Sequence, residues 1–140
     1  MHGVIFGDKH TYRDWGLLTK TRPNISPPTP KLKLIQVPGS DAVIDLTQSL
    51  TGKVHYEPRT IQFEFTLMAE RAKWPALYSE ILNYLHGRRI RIVMDDDPNY
   101  YYIGRVTVGD LDPNKKTADL TMKAEVEPYK RERFGEGRAL

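Results

Sequence analysis

The sequence predicts a mainly β, antiparallel domain of sandwich or barrel-like form with one α-helix over residues 74–86. Three observations carry that reading. Residues 60–67 alternate strictly, with Ile61, Phe63, Phe65 and Leu67 on one side and Thr60, Gln62, Glu64 and Thr66 on the other. That is the period-two signature of a strand with one buried face. One window changes period: Trp74, Leu77, Tyr78, Ile81, Leu82 and Leu85 follow each other at helical spacing and form a single apolar stripe. Short strand-like runs separated by turn residues make up the rest.

In chain order, residues 3–6 open as a strand, and a polar turn leads to Tyr12 and Trp15. Residues 22–30 carry Pro23, Pro27, Pro28 and Pro30. Proline lacks the N–H of a sheet ladder and forces its predecessor into extended geometry, which predicts an irregular arm here rather than a central strand. Residues 31–37 alternate as a half-buried strand, Pro38-Gly39-Ser40-Asp41 turns, and residues 42–46 form a second short strand. The pattern breaks from Thr47 to Gly52 and resumes as extended chain at Val54-His55-Tyr56. Within the helix, Pro75 occupies a first-turn position and Gly87 the place of a left-handed cap. Strands are predicted at 89–94, 100–108 and 117–126, joined by turns at 95–99 and 112–116. Residues 129–140, charged and glycine-containing, read as a tail that is mobile or ordered by a partner.

Size and composition bound the function. The 140 residues amount to one domain able to bury roughly 70% of its unfolded surface. There is no cysteine, which removes disulfides, thiolate nucleophiles and cysteine metal sites. No apolar run nears the roughly 20 residues of a membrane-spanning helix, and no secretory signal opens the chain, so a cytoplasm is the default compartment. The net charge of +3 is uneven. Residues 1–40 balance to +4 and residues 95–126 to −3, a distribution suited to contact between front and back of adjacent subunits.

No constellation for catalysis emerges. His2, His10, His55 and His86 lack ligand spacing, and neither a nucleophile–base order nor a phosphate loop is present. Asp95-Asp96-Asp97 could attract a hard cation, but neighbouring aspartates at a strand end point in alternate directions, and a turn accounts for them better. Arg88, Arg89 and Arg91 with Tyr100, Tyr101 and Tyr102 could form a basic, aromatic platform for single-stranded nucleic acid. A small nucleic-acid-binding β-barrel is therefore the alternative function, and a metal-dependent hydrolase a distant third.

The order of four motifs resembles the distal tail proteins of siphophages, the phages with long non-contractile tails. They are Phe6-Gly7-Asp8-Lys9-His10-Thr11-Tyr12-Arg13-Asp14-Trp15-Gly16-Leu17, the run from Ile35 to Thr47 with its Pro-Gly turn, Tyr56 to Phe65, and Leu85-His86-Gly87 followed by Asp96 to Val106. The resemblance implies a non-enzymatic virion protein without cofactor or metal, assembled in the host cytoplasm. In that family a β-sandwich domain, here residues 1–128, forms a hexameric ring. The ring joins the tail tube to tail-tip or baseplate proteins and leaves a channel through which DNA passes without specific recognition. Many relatives add a galectin-like domain. This chain reads as a short form without it, so sugar binding is not carried over. Arg22, Tyr56, Arg59, Tyr100, Tyr101 and Tyr102 are the candidate oligomer contacts, because Arg and Tyr are enriched at interface hot spots.

Overall fold

The computed structural model describes residues 3–47, 52–111 and 118–140. His2, residues 48–51 of the expected break and the turn expected at 112–116 lie outside the described residues. The alternation read at 60–67 lies within β6 (Arg59–Leu67), and its counterpart lies in β9 (Ala118–Val126). These two strands pair antiparallel along their full length, from Arg59 opposite Val126 to Leu67 opposite Ala118. With β1 (Val4–Phe6), β2 (Lys9–His10), β3 (Leu17–Ile25), β7 (Arg89–Met94) and β8 (Asp97–Leu111), they form one antiparallel sheet ordered β2-β1-β7-β8-β9-β6-β3.

That sheet curls on itself. In a flat sheet β1 and β6 would stand four strand spacings apart, about 19 Å. Instead the rings of Phe6 and Phe63 meet edge to face with centroids 5.4 Å apart. The core inside the curl contains Ile61, Phe63, Phe65 and Leu67 from β6 and Leu120, Met122 and Val126 from β9, all on the faces their alternation assigns.

The helix expected at 74–86 is α2 (Trp74–Leu85), after a 3-10 turn at Arg71–Lys73. Its stripe is the one read in sequence, deepest along its midline. Trp74, Ile81 and Leu85 are buried, whereas Leu77, Tyr78 and Leu82 are half-buried against the core margin. Two side chains fasten it: the Trp74 indole N–H donates to Ala69 O at 2.9 Å, and the Tyr78 hydroxyl donates to Gly109 O at 2.7 Å.

Three local readings are corrected. First, residues 11–15 form a short helix, α1 (Thr11–Trp15), capped by the His10 side chain, whose Nδ1 accepts from the backbone N–H groups of Tyr12 and Arg13. Five residues are too few to show a helical period, and histidine is not a usual N-cap. Second, residues 22–25 belong to β3 rather than to an irregular arm. Pro23 is tolerated because β3 is an edge strand, and the register shifts between Thr21 and Asn24. Third, the half-buried strand expected at 31–37 and the second short strand expected at 42–46 shrink to β4 (Leu34–Gln36) and β5 (Val43–Asp45), exposed at every residue. They pair only with each other, so neither face of the ribbon is covered.

The terminal segment is a hairpin of β10 (Lys130–Glu132) and β11 (Arg138–Ala139), docked on β8 with Arg131 opposite Tyr101 and Glu132 opposite Tyr100.

Candidate assembly surface

An arm grows from the sheet where β3 ends and β6 begins. Its two chains run side by side: Ser26 N–H donates to Thr60 O at 3.1 Å, Glu57 N–H to Thr29 O at 2.7 Å and Lys31 N–H to His55 O at 2.7 Å. Leu46 N–H then donates to Lys33 O at 2.7 Å, and the β4–β5 ribbon follows with Ile35 opposite Ile44. The eleven residues from Ser26 to Gln36 reach up to about 33 Å in extended form. Gly39 turns the tip with φ near +75°, a left-handed conformation that glycine adopts without strain. At the base of the ribbon, Thr47 donates its hydroxyl and its backbone N–H to Asp45, and the hydroxyl bond above all holds that carboxyl below the usual carboxylate range.

The arm is rich in aliphatic surface. Leu32 (60% exposed), Leu34, Ile35, Val43 (54%) and Ile44 all face solvent. Apolar residues scattered singly are ordinary, but here Leu34 and Val43 share one face of the ribbon and Ile35 and Ile44 the other, so both faces carry exposed aliphatic surface of the kind that marks an interaction site.

The tyrosines and arginines singled out from the sequence are partly brought together. Tyr56 bridges to Pro30 and meets the ring of Tyr129 edge-on at 6.1 Å, under the Arg138 guanidinium at 4.4 Å from the Tyr129 centroid. Arg59 is only 8% exposed. Its Nε donates to Ser26 O at 2.9 Å and its Nη1 to Pro128 O at 3.3 Å, and the guanidinium lies 5.8 Å from the Tyr102 ring. Arg59 and the buried Tyr102 thus brace the arm root and the tail inside one chain; neither offers an open surface. Tyr100 and Tyr101 are half-buried, one under the Lys130 ammonium at 4.5 Å and the other under the Arg91 guanidinium at 4.9 Å. The cations therefore already occupy ring faces that a stacked base would use. Arg22 stands exposed on the edge strand β3. Sequence reasoning missed Tyr129, Lys130 and Arg138, which it had assigned to a tail; only the pairing of β10 with β8 brings them here.

The aspartate run serves as a set of braces. Asp95 pairs with Nε2 of the buried His10 at 3.0 Å, and Asp97 accepts from Lys130 Nζ at 2.6 Å. The bond to Asp97 raises the Lys130 pKa above its ordinary value. His86 accepts the Val108 N–H on Nδ1. Among the described residues no group of three or more histidine or carboxylate side chains is arranged to hold a metal ion. No helix among them is long and apolar enough to cross a membrane.

No protein-family profile matches the chain, and no curated protein matches it. Among solved structures it is similar to the SPP1 Dit protein, described as a paradigm of the hub adsorption apparatus in phages infecting Gram-positive hosts. The superposition has a TM-score of 0.69 at 16% sequence identity and covers 94% of this chain and 52% of that one. This chain spans about half the length of that structure. At that identity the likeness is one of fold: the curled antiparallel domain with its helix is the fold found in a phage hub protein.

Proposed function

We propose that the chain is a structural subunit of a siphophage tail, a hub ring between the tail tube and the tail-tip or baseplate proteins. The observation that carries this is the fold, shared with SPP1 Dit across 94% of the chain. The unpartnered aliphatic arm supports it, since a chain that works alone has little use for such a surface. Six copies close the ring, DNA passes through its channel unread, and assembly takes place in the host cytoplasm before the virion leaves. Arg22, Tyr56, Tyr100 and Tyr101 remain the interface candidates with accessible surface, while Arg59 and Tyr102 contribute by holding the arm root and tail in place. No enzymatic step, cofactor or metal enters this reading.

The test is location. Gold-labelled antibody raised against the chain, applied to virions from cells that make it, should mark one end of the tail at the junction between tube and tip. Label on the capsid, along the whole tail, or absent from particles that contain every other tail protein would overturn the proposal.

A further inference from the structure

The arm needs a receiver, and the outer face of the sheet carries one. Gln62 and Glu64 of β6, Thr107 and Gly109 of β8, and Thr121 and Lys123 of β9 surround a groove of about 390 Å³ whose floor reaches Phe63 and Met122. The groove exists because Gly109 places no side chain beside Thr121 and because β8 shifts register between Val108 and Leu111. Further along the same face, past Thr66, Leu18 (37% exposed) and Met68 (59%) extend the apolar surface: Leu18 lies opposite Thr66, and Met68 follows it by two residues.

We infer that the β4–β5 arm of one copy docks in the outer-face groove of β6, β8 and β9 of a second copy of this chain. This deepens the hub proposal and rests on its claim that identical copies assemble. Charge favours the match. The arm carries Lys31 and Lys33 on its outgoing strand and Asp41 and Asp45 on its return, while the groove has Glu64 on one wall and Lys123 on another. A two-stranded ribbon is at best marginally stable by itself, so covering its aliphatic side chains orders the arm as well as joining the copies. The copy cannot easily fill its own groove. The bonds Ser26 to Thr60, Glu57 to Thr29 and Lys31 to His55 continue β3 and β6 outward, and folding the arm back over the sheet would break them. Donor and receiver are different patches, so the contact is heterologous and propagates head to tail, closing as a ring when the rotation per copy permits.

Two variants test it by sedimentation velocity across a concentration series. Leu34→Ser combined with Val43→Ser alters the arm at exposed positions, and Thr121→Arg fills the groove from an exposed position. Both should melt close to the wild type, and each alone should associate at least tenfold more weakly. Mixed together they should form dimers and nothing larger, because each pair keeps one intact arm and one intact groove. Variants that assemble like wild type, or a mixture that builds larger species, overturn the docking and leave the hub proposal standing. Wild-type chain that stays monomeric also overturns the docking, and the labelling of virions then decides the hub proposal separately. Arm and groove variants that melt far below wild type are replaced by Leu32→Ser and Lys123→Glu, which are held to the same outcomes.

Discussion

At Arg59 the period-two alternation of β6 runs two residues beyond its apolar positions and carries a guanidinium onto the inner face at the end of the sheet. The side chain is tolerated there because it donates to Ser26 O and Pro128 O, two carbonyls that would otherwise lose a charged donor. Hydrogen bonds to charged groups contribute about 1.5–3 kcal/mol each. Arg59→Ala should therefore lower stability by about 2–4 kcal/mol in urea unfolding, whereas Arg22→Ala at an exposed edge position should stay within about 0.5 kcal/mol. Equal effects of the two substitutions would show that Arg59 is a surface residue. Gly104 is a second decisive position: an added Cβ would collide with the backbone carbonyl of Glu125 and with Val126 Cα on β9. Gly104→Ala should push β8 from β9, with loss of amide protection at Arg105 and Val106 as the readout.

The elements divide by how much of their physics is local. Phe63 is almost fully buried in β6, and Phe63→Ala should cost about 3–5 kcal/mol. Ile81, fully buried as Leu85 is, sits deeper in the core than the half-buried Leu82, and Ile81→Ala should cost about 2–5 kcal/mol against a near-neutral Glu80→Ala. A larger loss from Leu82→Ala than from Ile81→Ala would put Leu82, not Ile81, at the midline of the buried stripe. The long strands and α2 were legible because burial on one face leaves its period in the sequence. The arm was legible as strands but not as exposed strands, since alternation does not say whether anything covers the apolar side. The helix α1 was too short to show a period. The tail was missed because its order depends on β8, thirty residues earlier in the chain, and not on its own composition. Lys130 gives that docking a pH signature. Its folded pKa is raised, chiefly by the hydrogen bond to Asp97, so its contribution is complete below the ordinary value of 10.5 and is lost as pH rises through the higher folded value. The gap in melting temperature between wild type and Lys130→Met should be present at pH 8 and close above pH 10.5. A gap that persists in strong alkali would mean the ion pair is not what docks the tail.

For the whole molecule, one curled sheet provides the body, and two features reach beyond it: an apolar arm at one end of β3 and β6, and an apolar margin at Leu18 and Met68 at the other. The basic front segment and the acidic later segment meet inside one chain where Lys20 pairs with Asp119 at 3.0 Å, and the proposed head-to-tail contact between copies rests chiefly on apolar burial. Such a contact is insensitive to salt where apolar burial dominates, whereas DNA binding through phosphates weakens steeply between 50 and 200 mM salt. The most direct measurement is light scattering coupled to size exclusion, on the chain alone and with tail-tube and tail-tip proteins of the same phage. The account predicts a closed species at six times the 16.2 kDa of one chain, retained in 200 mM salt. A species that remains at 16.2 kDa at every concentration and in the presence of both partners would contradict it.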